Sequence, residues 1–101
     1  NDGAAFDAVI CQNDVLARGC IEELERNGCR VPQDVAVIGH DNSPDYVSYA
    51  HPLLTSIDDN NEMLGRQAAL CLLDAIAGHP HHGVERVPVK LIQRESTLPL
   101  D

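Results

Sequence analysis

The hydrophobic pattern changes period early in the chain, and the change defines the first elements. Ala8-Val9-Ile10-Cys11 is a continuous apolar run, the pattern of a strand covered on both faces. Asn13 and Asp14 follow, both good N-cap residue types. From Val15 the spacing lengthens, so that Leu16, Ala17, Cys20, Ile21 and Leu24 fall on one helical face. Glu22 and Arg26 lie one turn apart on the other face, in the favourable orientation. Gly28 ends this helix in the manner of a C′ glycine. Val31-Pro32-Gln33-Asp34 reads as a connector and Val35-Ala36-Val37-Ile38 as a second buried strand. Strand, helix and strand with short joints make a βαβ unit, which predicts parallel strands and a right-handed crossover.

The second half repeats the alternation less regularly. Gly39-His40-Asp41-Asn42 leaves the second strand. Ser43, Pro44 and Asp45 read as an N-cap, a proline at N1 and a first-turn acid, predicting a short helix to about residue 50. His51-Pro52 ends it, because the residue before a proline avoids the helical region. Leu53-Leu54-Thr55-Ser56-Ile57 reads as extended. Asp58, Asp59 and Asn60 then supply acids and a possible cap for a long helix from about Asn61 to Ala77. Its apolar stripe is Leu64, Ala68, Cys71, Leu72, Ala75 and Ile76, widened by Ala69 and Leu73. Gly78 closes it and His79-Pro80-His81-His82-Gly83 is a loop. Val87, Val89 and Leu91 alternate with other positions, predicting a last strand that runs to about Arg94. The whole reads as an α/β architecture.

Composition narrows what such a chain can do. Its 101 residues suit one small domain or a piece of a larger one. Phe6, Tyr46 and Tyr49 are the only aromatics, so the core must be aliphatic. A formal net charge of −9 repels phosphate backbones and anionic membranes, so any nucleic-acid contact must come from outside these residues. No apolar run approaches the roughly 20 residues that span a bilayer. Cys11, Cys20, Cys29 and Cys71 form no Cys-x-x-Cys pair and match no common zinc spacing. They read as small buried hydrophobes, and unpaired thiols fit a reducing cytosol.

Candidate chemistry gathers at strand ends. In open parallel sheets ligands bind beyond the carboxyl ends of the strands. Asn13-Asp14 follows the first strand and His40-Asp41-Asn42 the second, so both groups can line one cleft. Carboxylates accept from hydroxyls and carboxamides both donate and accept, a set that suits a polyol or sugar. The alternative is that Asn13 and Asp14 cap a helix while Asp41 and Asn42 make a turn. His79, His81 and His82 offer imidazoles, but with no evident fourth ligand they read as a solvated loop and no metal site is expected. His40 beside Asp41 could act as a pH-sensitive or general-base pair. There is no nucleophile elbow, phosphate-cradling glycine loop or cofactor motif, so neither an enzyme nor a bound cofactor is expected.

The order of these segments carries a resemblance. Asp7 to Asp14, then Gly28 to Asn42 with its Val31-Pro32-Gln33-Asp34-Val35 connector, resembles the effector-binding core of LacI/GalR-family transcriptional regulators. Pro52 to Ile57, Leu64-Gly65, Gly78 and the closing Arg94-Glu95-Ser96-Thr97 also fit, so the likeness covers nearly the whole chain. It implies a type I periplasmic-binding-protein-like fold, a three-layer sandwich on a parallel sheet, with two lobes and an effector between them. Residues 1–57 would lie mainly in the carboxyl-terminal lobe. Residues 58–95 would give a helix and strand to the other lobe, and 96–101 a return crossover and tail.

The resemblance further implies roles for particular residues. Asp41 matches the acid that holds effector hydroxyls or ring nitrogens, and Asn13 an asparagine that reaches the ligand in several members. His40 stands where a Tyr or Phe usually forms the pocket wall, and Asp59 where many members have a glutamine. Arg18, Tyr46 and Tyr49 fall in regions that pack between subunits, although Arg18 replaces a residue that is often apolar. The implied partners are a small-molecule effector, a second copy in a homodimer, and operator DNA held by an amino-terminal helix-turn-helix outside this chain; no membrane partner is implied. The expected function is effector sensing in a cytoplasmic, sugar-responsive repressor. A sugar-binding protein for extracytoplasmic transport is the alternative on the same fold.

Overall fold

The computed structural model describes residues 6–98. Strand β1 (Ala8–Ile10) leads into helix α1 (Asp14–Arg26), then β2 (Ala36–His40) and the single-turn helix α2 (Pro44–Val47). Strand β3 (Thr55–Asp58), helix α3 (Asn61–Ile76) and β4 (Lys90–Ile92) complete the order. The strands form one sheet in the order β1-β2-β3-β4. The β1–β2 and β2–β3 pairs are parallel, as the βαβ reading predicts, but β3–β4 is antiparallel. The sheet is therefore mixed rather than wholly parallel. The pair is antiparallel because the chain comes back from α3 beside the carboxyl end of β3, with Lys90 opposite Asp58, without crossing to its amino end.

The core lies between α1 and one face of the sheet. Ala17 and Ile21 of α1 meet Val37 of β2 and Leu54 just before β3, with Val31 and Val47 closing the ends. Val37 and Leu54 are fully buried. Each large apolar side chain hidden this way contributes about 1.5–3 kcal/mol. The α1 cap is as expected: Asn13 Oδ1 accepts from the Leu16 amide at 2.9 Å, and Gly28 ends the helix at φ 84°. Arg26, however, pairs with Glu23 rather than Glu22, whose carboxylate instead accepts from the Tyr49 hydroxyl at 3.2 Å.

Several boundaries move, each for a visible reason. Strand β2 runs on through Gly39 and His40. Helix α2 stops at Val47, short of residue 50, because its carbonyls are used elsewhere. Tyr46 O accepts from the Arg18 guanidinium and Val47 O from the Leu54 amide. Strand β4 is shorter than its alternating pattern predicts, covering only Lys90–Ile92. Strand β1 is an edge strand and not one covered on both faces, with Ile10 75% exposed.

Helix α3 matches its predicted length, yet no residue in it is buried. Leu64, Leu72, Leu73 and Ile76 of its apolar stripe are all exposed. Within the described residues α1 packs on one face of the sheet and α3 buries no residue, as a piece of the expected α/β sandwich. The radius of gyration is 18.1 Å against about 13 Å for a compact chain of this length. Residues 99–101 of the expected tail lie outside the described residues, as do 1–5.

The end of the described chain is sewn into the parallel pair. Strand β3 begins opposite Ile38, so on that side β2 lacks a strand neighbour at Val37, which pairs with Val9 on the other. Ser96 fills that gap: its carbonyl accepts from the Val37 amide at 2.9 Å and its hydroxyl donates to Val37 O at 2.6 Å. The same Oγ accepts from the Thr55 amide at 2.8 Å. Ser96 is fully buried, and all its polar groups lie inside this network.

Candidate functional site

Side chains alternate across a strand, so the carboxyl ends of β2 and β3 present two different polar groups. On the α1 face, Gly39 lies opposite Ser56 in the register. Asp14, fully buried at the start of α1, spans this place. Its carboxylate accepts from the Ser56 hydroxyl and from the Ser43 amide, each at 2.6 Å. A Cβ on Gly39 would stand 2.2 Å from Asp14 Oδ1. The glycine is therefore required by packing within a strand, not by a turn.

On the opposite face are His40 and the groups around it. His40 Nε2 lies 2.9 Å from Asp59 Oδ1, and its Nδ1 3.3 Å from Asp41 Oδ1. One ligating atom from each of these three residues lies within 4.8 Å of the others. Two carboxylates around an imidazole make an acceptor-rich, partly open surface that suits hydroxyl donors. The side chains of His40 and Asp41 are 37% and 48% exposed, which leaves them within reach of a ligand.

The turn that presents Asp41 is conformationally costly. Asp41 and Asn42 both have positive φ, at 106° and 53°. Such residues cost of order 1–3 kcal/mol each and persist only where surrounding bonds hold them. Asn42 supplies those bonds. Its amide donates to Ser56 Oγ at 3.0 Å and its Nδ2 to Asp58 Oδ2 at 3.1 Å. Its Oδ1 accepts from Arg94 Nη2 at 2.7 Å, while Arg94 also reaches the Leu54 carbonyl at 2.8 Å. The Asp58 carboxyl is held below its ordinary pKa by the Asn60 amide and the Asn42 carboxamide. Asn42 and Arg94 thus aim Asp41 outward. Spacing placed Asn42 at the cleft but missed its bracing role, because its partner Arg94 lies 52 positions away.

Three of the four predicted effector contacts, His40, Asp41 and Asp59, therefore meet at one place. Asn13 lies beyond β1 with its side-chain oxygen committed to the α1 cap. The local alternative for Asn13, a helix cap, is what the structure displays.

The predicted subunit-contact residues also cluster, but Arg18 points inward. It is 4% exposed and donates to Pro52 O at 3.2 Å and Tyr46 O at 2.9 Å. Its guanidinium stands 5.0 Å from the Tyr49 ring centre, and Tyr49 meets Tyr46 edge to face at 6.3 Å. Arg18 thus braces the two tyrosines from beneath, and Tyr49 is more than half exposed. The cysteines are free and partly buried rather than fully buried. An open cleft of about 890 Å³, bounded by Pro32, Pro52 and Glu95, lies near the amino ends of β2 and β3, away from the His40 group.

A parallel βαβ core with a polar group beyond its strand ends defines an α/β module of the kind whose ligands sit at that edge of the sheet. The chain belongs to the periplasmic binding protein-like domain family, whose model matches residues 3–97. It is 39% identical over 94 residues to the HTH-type transcriptional repressor CytR of Escherichia coli K12, covering 92% of this chain and 27% of that protein. It is 33% identical over 98 residues to the lactose operon repressor of the same organism, covering 97% and 27%. The chain thus spans about a quarter of the length of these relatives. Among solved structures, the lac repressor dimer bound to operator and the anti-inducer ONPF superposes with a TM-score of 0.87 at 32% identity, over 98% of this chain and 34% of that one. The transcriptional regulator CelR–cellobiose complex superposes at 0.78 with 37% identity, over 89% and 28%. The LacI-type resemblance read from the sequence is thereby upheld.

Proposed function

We propose that this chain is the effector-sensing and dimerisation part of a sugar-responsive bacterial transcription repressor, and that it is not an enzyme. The observation that carries this reading is the outward-held Asp41, grouped with His40 and Asp59 beyond the carboxyl ends of β2 and β3. Asp41 accepts from effector hydroxyls, His40 forms the pocket wall and Asp59 fixes the imidazole. Asn13, whose oxygen caps α1, contributes its carboxamide N–H from the end of β1. The exposed α3 belongs to a second lobe whose facing surface lies outside these residues, and the effector sits between the lobes. A second copy packs against the Tyr46–Tyr49 side. Operator contact comes from a helix-turn-helix elsewhere in the protein, in keeping with the charge of −9 here. The free cysteines fit a cytoplasmic location, and no described helix is long and apolar enough to cross a membrane.

Such sensing requires an effector that binds two lobe arrangements with different affinity. In the intact protein, Asp41→Ala is expected to abolish the effect of sugar on operator binding while leaving binding without sugar in place. DNA titrations with a panel of mono- and disaccharides, cellobiose among them, measure this. A response of wild-type size in the folded variant overturns the assignment.

A further inference from the structure

The far end of α3 carries a second cluster that the proposed sensing site does not use. Cys71 and Asp74 lie three residues apart on the helix and so share a face. The loop that follows folds His81 and Glu85 back onto them. His81 Nδ1 is 2.7 Å from Glu85 Oε1, and its Nε2 is 2.5 Å from Asp74 Oδ2. Cys71 Sγ donates to the other oxygen of Glu85 at 3.4 Å. One atom each of Cys71, His81 and Glu85 lies within 4.8 Å of the others.

We propose that Cys71, His81 and Glu85 bind a zinc ion that clasps the return loop onto α3, with Asp74 holding the ligating imidazole from behind. Zinc takes thiolate, imidazole and carboxylate at about 2.0–2.3 Å in a tetrahedron, which sets ligand atoms roughly 3.3–3.8 Å apart. The Cys71–Glu85 separation already matches, and His81 need only draw back slightly from Glu85. A zinc-bound histidine usually gives its second N–H to a carboxylate, which fixes tautomer and ring orientation. Asp74 stands in that position. Thiolate with imidazole favours zinc over magnesium or calcium, which prefer all-oxygen sites.

Protons occupy the site otherwise. Asp74 and Glu85 push the His81 imidazole above its ordinary pKa, and partial burial with Glu85 pushes the Cys71 thiol up. Zinc replaces the thiol proton and the proton between His81 Nδ1 and Glu85, while the proton on Nε2 stays with Asp74. The ion, one thiolate and one carboxylate then sum to zero charge, and solvent fills the fourth position. An imidazolium between two acids would account for His81 without an ion, but it gives the thiol no part. The loop 77–89 between α3 and β4 has no helix or strand of its own, so a metal clasp would give it an anchor. The spacing of the histidines hid the site because one of its ligands, Cys71, and its brace, Asp74, lie on the helix.

The test uses the full chain, reduced and metal-free, titrated with Co²⁺ and then Zn²⁺. One Co²⁺ per chain, with thiolate charge-transfer absorption that Zn²⁺ bleaches, is the expected result. Cys71→Ser removes that absorption, and Cys71→Ser, His81→Gln and Glu85→Gln each weaken Zn²⁺ at least tenfold. Asp74→Asn keeps the absorption but weakens zinc roughly 10–100-fold, as loss of an outer-shell partner does. Cys20→Ser changes neither. No residue of α3 is buried and His81 and Glu85 are exposed, so circular dichroism is expected to show the variants at positions 71, 74, 81 and 85 folded. Absence of stoichiometric binding overturns the proposal, as does wild-type affinity in both Cys71→Ser and His81→Gln, or loss in Cys20→Ser instead.

Discussion

Asp14 illustrates how one side chain can serve a role that its local sequence conceals. It follows a cap residue at a helix start, where an acid is favourable on dipole grounds alone. In the fold it is buried beneath β2 and β3 and satisfies both the Ser43 amide and the Ser56 hydroxyl. Asp14→Ala leaves both donors without an acceptor in a buried place, so we expect a loss of about 3 kcal/mol, read from the denaturant midpoint. Gly39→Ala places a methyl group against the same carboxylate, and we expect about 1–3 kcal/mol of destabilisation. A midpoint within a few tenths of a kcal/mol of wild type in either variant would refute this account. In the sequence, Asp14 and Gly39 read as polar and flexible punctuation. Their actual relation is a contact between separate elements, and no local pattern encodes such a contact. The place of Asp41, by contrast, was legible, because position after a buried strand already sets it at the carboxyl edge of the parallel pair.

At the scale of elements, βαβ was readable because apolar periodicity and helix signals agreed. The change from the continuous Ala8–Cys11 run to the Ala17, Cys20, Ile21 and Leu24 spacing suffices for that inference. The short pieces were less legible because tertiary hydrogen bonds set their limits. The segment from Arg94 to Thr97 has no strand pattern, yet it completes β2 and steadies the loop before β3. Glu95 takes part by accepting from the Leu53 amide at 2.8 Å and pairing with His51 at 2.6 Å. The Leu53 amide first, and His51 second, hold its carboxyl below the ordinary value of 4.5. A carboxyl with a lower pKa in the folded state adds stability above its unfolded value, and that gain disappears as pH falls through the folded value. Glu95→Gln is therefore expected to be less stable than wild type at pH 7. The difference should close as pH falls below about 4.5, as denaturant midpoints across pH 7 to 3 would register. A gap independent of pH would remove the carboxylate from the account.

Across the whole molecule, stability and ligand chemistry lie in different places. The core between α1 and the sheet contains Ala17, Ile21, Val37 and Leu54, whereas the described residues leave the apolar stripe of α3 unburied. Periodicity detects that a helix has an apolar face, but not whether the same chain supplies the surface that covers it. This is why the length of α3 was legible and its isolation was not. The two helices should respond differently to substitution. Ile21→Ala opens a cavity in the core and is expected to cost about 2–5 kcal/mol. Ile76, 74% exposed, gives up no buried contact, so Ile76→Gln should change stability by no more than about 0.5 kcal/mol. Amide exchange offers a second readout, since α1 should open only with global unfolding while α3 exchanges by local opening. If α3 amides were protected as well as those of α1, or if Ile76→Gln were as damaging as Ile21→Ala, the helix would have a covering surface in solution. With α3 uncovered, zinc at Cys71, His81 and Glu85 should slow exchange near its carboxyl end and leave α1 unchanged, because the clasp touches only the helix and its return loop.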